Sequence, residues 1–301
     1  MKILVTGGNG FIGGHVLEEI ASRGITPVSF DRHIIEDPIF KPECTYDFFL
    51  GDVRDRNAVN EAVSKCDGAI NLAGILGTSE AVDNPFPAME ANIVGGLNFL
   101  QACREHNKRG VQIAVGNHFM NNTYSITKTT VERFALMFNK EHGTKIAIVR
   151  GLNAFGPRQK HKPIRKITPN FITRALRGEP IKIFGTGESV MDMIFVKDLA
   201  RILVEAVLNP NTCFDCIYSA GPGVDTTVNE IAEMINIATG NTVGAEHIEM
   251  RAGEQDNSIV LGDPSTLASL GITLDCSRST LLERMKETAE WYREFYPFQQ
   301  D

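Results

Sequence analysis

Short apolar runs alternate with amphipathic stretches through the first half of the chain. "KILVTG", "TPVSFD", "YDFFLGD", "GAINLAG", "VQIAVG" and "KIAIVRG" are rich in β-branched or aromatic residues and end at Gly, Asp or another polar residue. Between several of them the hydrophobic period lengthens from two to about 3.6. "GGHVLEEIASRG" and "NIVGGLNFLQACREH" show this, the second placing Ile93, Leu97, Leu100 and Cys103 at helical spacing. Alternating strands and helices predict a parallel sheet covered on both faces, with right-handed crossovers.

After about residue 156 the texture changes. "GPRQKHKPIRK" is basic and broken by prolines, which predicts a loop. "PNFITRALRG" predicts a helix ending at Gly178, "IKIFGTGE" a strand and turn, and "FVKDLARILVEAVLNP" another helix. "SRSTLLERMKETAEWYREF" predicts an amphipathic final helix. The expected class is α/β: a doubly wound parallel-sheet domain over residues 1–158, to which about 193–217 return, and a smaller α/β lobe over 159–301.

Composition narrows the partners. The 301 residues are 43% hydrophobic, enough for a sizeable core, and the formal charge of -7 points away from nucleic acid and anionic membranes. No apolar run approaches the roughly 20 residues that span a bilayer. "MKILVTGG" reads as a strand rather than a secretory leader, so a cytoplasmic protein is expected. The Cys213-x-x-Cys216 pair has no second pair and abuts a strand pattern, so its thiols are expected to be ordinary and no metal site is expected. "NNT" at 121–123 matches a glycosylation sequon by chance.

"VTGGNGFIGGHVLEEI" follows the first strand and opens the first helix. Gly8, Gly10 and Gly13 fit G-x-G-x-x-G, and Gly7, Gly10 and Gly13 fit G-x-x-G-x-x-G. Glycines there permit a tight turn and close approach of a pyrophosphate, which the helix N-terminus attracts. This is a Rossmann-like dinucleotide site. Asp31 ends the second strand, where its carboxylate would accept the adenosine ribose hydroxyls, favouring NAD over NADP. Arg32 beside it counts the other way, since an arginine accommodates a 2′-phosphate. Asp52 is either a contact to the adenine edge or a turn residue.

"GNHFMNNTYSITK" places Tyr124 and Lys128 one helical turn apart, on one face. A phenol has a reference pKa near 10. A neighbouring ammonium and a cationic nicotinamide would both lower it, making Tyr124 a proton-transfer group.

In this order, "TGGNGFIG", Asp31, "GDV", "NLAG", the helix with Asn92, "YSITK", "RGLNAFGPRQ" and "RAGE" resemble the extended short-chain dehydrogenase/reductases. More narrowly the chain is similar to the NAD-dependent sugar-nucleotide epimerase/dehydratase family, over nearly its whole length. The resemblance implies Tyr124 as acid/base with Lys128 as partner. It implies NAD on Gly7, Gly10, Phe11, Ile12, Gly13, Asp31 and Arg32, with Asp52, Val53, Leu72, Ala73, Gly74 and Asn92 along the nucleoside edge. Asn153, Arg158 and Arg251 would meet the sugar or its diphosphate.

Three departures from that pattern stand out. The fifth strand lacks the usual Ser or Thr and ends in Gly116, Asn117 and His118. Asn117 falls where the hydroxyl would sit, and its amide can donate to a sugar oxygen. Thr123 is read as a helix N-cap; His118 is a proton-transfer aid or a solvated histidine. No acidic residue lies between Asn117 and Tyr124, which counts against the usual 4,6-dehydratase. Met191-Asp192 stands where many members carry Arg-Asp, and the run Arg158, Lys160, His161, Lys162, Arg165, Lys166 is a candidate replacement charge.

The expectation is therefore an NAD-dependent epimerase acting at C4 of a UDP-, GDP- or dTDP-linked sugar, as a homodimer. Met137, Phe138 and Phe134 are candidate dimer contacts. A nucleotide-sugar 4-keto reductase, an atypical dehydratase and a non-catalytic dinucleotide-binding protein are the alternatives.

Overall fold

All six apolar runs of the first half are strands, and all lie in one sheet. The computed structural model describes residues 1–251, 254–255 and 257–296. Its first half runs β1 (Lys2–Thr6), α1 (Phe11–Ser22), β2 (Thr26–Asp31), β3 (Asp47–Leu50), α2 (Arg56–Ser64), β4 (Gly68–Asn71), α3 (Phe86–Ala88), α4 (Gly95–Glu105), β5 (Arg109–Val115), α5 (Thr123–His142) and β6 (Lys145–Gly151). A π-helical segment, Met89–Val94, joins α3 to α4. The second half adds β7 (Asn153–Phe155), α6 (Ile167–Leu176), β8 (Ile181–Phe184), β9 (Val190–Met191), β10 (Met193–Phe195), α7 (Val196–Leu208), β11 (Ile217–Ala220), α8 (Val228–Thr239), β12 (Ala245–Ile248), β13 (Ile259–Val260) and α9 (Arg278–Phe295).

The large sheet has the order β11-β6-β5-β4-β1-β2-β3, with every pairing parallel. Strand side chains alternate between two cores because the pleat sends successive residues to opposite faces. Ile3 and Val5 pack with Val16, Leu17, Leu199 and Leu203 of α1 and α7. Leu4, between them, packs with Val59, Phe99, Leu100 and Val131 of α2, α4 and α5. This two-sided burial explains why the central strands read as nearly continuous apolar runs. From β1 the chain builds outward to β2 and β3, then returns to place β4 on the other side. The crevice at the carboxyl ends of β1 and β4 is thus the topological switch point, where ligands of such sheets bind.

A third core joins α6, α8 and α9 through Phe171, Ile231, Ile235, Met285 and Tyr292. Its strands are short parallel pairs, β7 with β10, β8 with β12 and β9 with β13. Among the described residues no helix is long and apolar enough to cross a membrane, and no cluster of three or more His, Cys, Asp or Glu could hold a metal ion. Cys213 and Cys216 precede β11 as free thiols, and burial pushes the Cys216 thiol up to about 11. Of the three residues offered as dimer contacts, Phe138 is buried in the core behind the sheet and Phe134 packs against it. Only Met137 is open to solvent, because the apolar stripe of α5 is turned inward.

Buried polar side chains tie the central strands to one another and α5 to the sheet. Thr6 donates to Asn71 Oδ1 (2.5 Å), and Asn71 Nδ2 donates to Gln112 Oε1 (2.8 Å), linking β1, β4 and β5. At the far end of α5, Asn139 accepts from the Ile146 N–H (3.0 Å) and donates to the Ile146 and Phe214 carbonyls (2.8 and 2.7 Å). An apolar side chain there leaves those backbone groups buried without partners. Asn139→Leu is expected to lower stability by about 2–4 kcal/mol in urea unfolding. A loss below about 0.5 kcal/mol would show that Asn139 does not hold the helix to the sheet.

Candidate active site

The glycine loop lies at the carboxyl end of β1. Gly7 adopts φ +71°, and a Cβ there would come within 2.9 Å of the Ala73 nitrogen. At Gly13 a Cβ would come within 2.1 Å of the Gly7 carbonyl, so helix and loop can meet this closely only without one. Gly10 is the N-cap of α1 and supplies no side-chain acceptor. The first N–H groups of α1, at Phe11 and beyond, therefore point out toward the crevice with the positive end of the helix. Both features fit the pyrophosphate of a dinucleotide. Asp31 accepts from the Asn9 N–H (3.2 Å) and the His33 N–H (3.0 Å), which sets its carboxylate beside the loop. Arg32 is exposed.

The nucleoside edge is less open than the sequence implies. Arg54 grips Asp52 through both carboxylate oxygens (2.7–3.1 Å) and also reaches Glu90. These Arg54 hydrogen bonds hold the Asp52 carboxyl below its ordinary pKa. Val53 points into the core, and its carbonyl accepts from Asn98 (2.9 Å). Leu72 and Ala73 donate their N–H groups to the Thr6 carbonyl and hydroxyl. Ile12, like Leu72, packs against the core on the α1 side.

Asn92 joins three elements. Its Oδ1 accepts from the Ile75 N–H (2.8 Å), and its Nδ2 donates to the Ile75 carbonyl (3.0 Å) and to Thr127 (2.9 Å). It sits in the π-helical segment, a distortion frequent at functional sites. Gly74 lies beneath this clamp: a Cβ there would come within 2.6 Å of Asn92 Oδ1 and 3.0 Å of Lys128 Nζ. The absent side chain lets Lys128 press its ammonium against the backbone that follows β4.

Tyr124 and Lys128 occupy the first turns of α5. The helix is capped by Asn122, whose side chain accepts from the Ser125 N–H (2.9 Å), and not by Thr123 as expected. Thr123 is already inside the helix and donates to the Ala81 carbonyl (3.0 Å). Lys128 is 3% exposed and has no hydrogen-bond or ion-pair partner among the described residues. Burial lowers its pKa to about 8. Burial also pushes the Tyr124 phenol well up. Within the protein alone, burial thus favours the neutral form of both side chains.

The segment after β5 is a turn. Asn117 directs its amide to Met120 Sδ across a long 3.5 Å contact. His118 is exposed, with Nδ1 3.1 Å from the Gly116 carbonyl and its ring edge-on to Phe119. Among the described residues, no hydrogen bond ties Asn117 or His118 to Tyr124. Asn153 donates to the Asp192 carbonyl (3.2 Å). Asp192 is fully buried, and its carboxylate accepts from the N–H groups of Gly223, Gly262 and Val224. Burial nevertheless raises its pKa. It serves as a hub for the second lobe.

Arg158 is committed elsewhere. Its guanidinium pairs with both oxygens of Glu18 (2.6 Å each), donates to the Lys41 carbonyl (3.0 Å) and meets His15 Nδ1 (2.8 Å). These donors are taken, so Arg158 acts as a strut between α1 and the segment after β7. Arg251 pairs with Glu254 and lies over the Phe184 ring at 4.7 Å. The middle of its "RAGE" motif, Ala252 and Gly253, lies outside the described residues.

The fold also brings in groups that spacing does not reveal. Lys166 Nζ lies 5.8 Å from the centre of the Tyr124 ring. Glu80, in the loop after β4, accepts from the Arg165 N–H (3.2 Å), and Thr78 of the same loop donates to Glu254 (3.2 Å). This loop bridges the two lobes beside the start of α5. Lys166 was visible only as one member of a basic run, and Glu80 carried no signal.

A family model described as NAD dependent epimerase/dehydratase matches residues 3–221. The UDP-N-acetyl-alpha-D-glucosaminuronate decarboxylase of Bacillus cytotoxicus is 26% identical, covering 82% of this chain and 83% of that protein. The putative UDP-glucose 4-epimerase of Methanocaldococcus jannaschii is also 26% identical, covering 84% of this chain and 87% of its own length. Among solved structures, the UDP-glucose 4-epimerase of Thermotoga maritima with UDP-glucose has a TM-score of 0.87 and 26% identity, over 98% of this chain and 99% of that one.

Two outcomes follow from these environments. Because burial depresses the Lys128 pKa from about 10.4 unfolded, its ammonium destabilises the fold below that depressed value. Lys128→Met is expected to stabilise cofactor-free protein by about 2–3 kcal/mol at pH 7, the gain fading as pH rises toward about 10.4. Denaturant unfolding across that range checks it; a stability gain independent of pH would refute the assignment. For Glu18, burial alone would raise the carboxyl, but His15, Arg158 and the Glu43 N–H hold it far below its ordinary range. Its stabilisation is therefore present above about pH 4.3 and lost as pH falls below. Arg158→Met should cost about 2–3 kcal/mol at pH 7 and progressively less in acid.

Proposed function

The chain belongs to the NAD-dependent epimerase/dehydratase family, and from that premise we propose that it epimerises a nucleotide diphosphate sugar at C4 through a 4-keto intermediate. The chain is thus an NAD-using enzyme of the nucleotide-sugar epimerase/dehydratase class. Of the similar proteins named above, one is a UDP-glucose 4-epimerase solved with UDP-glucose and another a putative UDP-glucose 4-epimerase, which makes a UDP-sugar the first candidate and leaves GDP- and dTDP-linked sugars in the same panel.

The observation that carries the C4 reading is the company Tyr124 keeps. Its helix sets it beside the buried Lys128, at the switch-point crevice, with no carboxylic side chain in the segment from Asn117 to Thr123. Such a site handles a hydroxyl proton and lacks the acid–base pair that elimination needs in its usual place. NAD, held by Gly7, Gly10, Gly13 and Asp31, would supply reversible hydride acceptance. Tyr124 Oη takes the proton of the sugar hydroxyl and returns it to the alkoxide after the sugar has presented its other face. Lys128 lowers the phenol's proton affinity by its charge. Asn117, whose amide makes a single long contact, to Met120, among the described residues, is the neutral donor to the reacting oxygen. Asn153 and Arg251 line the side toward the diphosphate, and a homodimer would use the outer faces of α4 and α5.

One observation favours a second reading. Glu80 and Glu254 lie near Lys166, so carboxylates reach this region from other loops. An atypical dehydratase would recruit them. Incubation with UDP-, GDP- and dTDP-hexoses, followed by NMR, separates the readings. We expect the 4-epimer to accumulate to equilibrium with no net consumption of NADH. Tyr124→Phe should lower kcat by about 10²-fold or more. A 4-keto-6-deoxy product, or stoichiometric NADH consumption, would overturn the epimerase reading.

A further inference from the structure

We propose that Lys166 is a specificity-determining residue that pairs with a carboxylate on the sugar, so that the preferred substrate is a nucleotide diphosphate uronate rather than a neutral hexose. The inference rests on the nucleotide-sugar reading of the cleft and names the substrate class within it.

The first support is position. Lys166 immediately precedes α6, yet its ammonium reaches back to lie 5.8 Å from the centre of the Tyr124 ring. Tyr124 marks the reacting carbon, so the ammonium lies within the width of one sugar ring of the chemistry. Arg251, over Phe184, is the cation suited to the diphosphate.

The second support is that this cation is unpartnered. Lys166 makes no side-chain hydrogen bond or ion pair among the described residues, whereas its charged neighbours are engaged. Glu254 is bound by Arg251 and Thr78, Glu80 accepts the Arg165 N–H, and Arg158 is bound by Glu18. Surrounding atoms lower the Lys166 pKa by burial, which Glu80 and Glu254 oppose and Arg251 reinforces. A half-buried ammonium that no carboxylate touches directly, and that Glu80 and Glu254 favour only from a distance, is incompletely compensated, and a carboxylate arriving in direct contact relieves that condition. A neutral hydroxymethyl group does not.

The third support is a local rule broken. Lys166 occupies the N-cap of α6 and forms no side-chain cap. That position favours Ser, Thr, Asp or Asn, and the positive helix end disfavours a cation. The lysine does nothing for its own helix, so its side chain is accounted for by what it faces.

The test uses matched pairs: UDP-glucuronate with UDP-glucose, GDP-mannuronate with GDP-mannose, and dTDP-glucuronate with dTDP-glucose. Binding is measured by calorimetry to NAD-loaded Tyr124→Phe protein, so that turnover is not required. We expect the uronate to bind about tenfold or more tightly than its hexose on at least one carrier, the size of one charge-assisted hydrogen bond. Adding Lys166→Met should bring that ratio to about one, and Lys166→Arg should retain most of it. A ratio near one before substitution, or one unchanged by Lys166→Met, overturns the proposal. A wild-type enzyme that prefers uronates but does not epimerise them would sink the C4 reading while leaving this one standing.

Discussion

The parallel sheet is covered on both faces, and most of the molecule's chemistry follows from that constraint. Residues such as Ile3, Leu4 and Val5 alternate between two apolar layers, so neither face of the central strands has room for a polar site. Polar groups that approach the sheet must be satisfied internally, as Thr6, Asn71 and Gln112 are. Function is left with the carboxyl edge, and the reversal of strand order between β1 and β4 opens the crevice there.

At that edge, close approach is obtained by removing side chains. Gly7 and Gly13 bring loop and helix together, and Gly74 lets Lys128 reach the backbone after β4. Asn92 holds that backbone in place from a π-helical segment and binds α5 at Thr127. Rigid support of this kind positions a buried ammonium that has no counter-ion among the described residues. Burial then shifts Tyr124 and Lys128 in opposite directions, both toward the neutral form. Both groups are thereby held in surroundings that disfavour their charged forms.

The second lobe contributes charge that the first cannot. Asp192 organises three loop N–H groups, and the loop carrying Thr78 and Glu80 crosses to meet Arg165 and Glu254. Lys166 enters the region of Tyr124 from this side. An NAD-dependent core is thereby combined with a sugar end whose charge pattern belongs to this chain.

By itself the sequence determined the strands, the order of the motifs, the glycine loop and the Tyr124–Lys128 pair. These are local features: period, turn chemistry and a spacing of one helical turn all act within a few residues. It also exposed the lack of a hydroxyl at Asn117. Tertiary structure alone decided which charges are free. Arg158 looked like a substrate ligand because it sits in a matched motif, but Glu18, 140 residues away in the chain, takes its donors. Phe138 looked like a surface contact until the roll of α5 turned it inward. Lys166 was one cation in a run, and packing set it over the tyrosine ring. Partner choice over long sequence separations depends on how layers stack, and one-dimensional spacing carries no record of that.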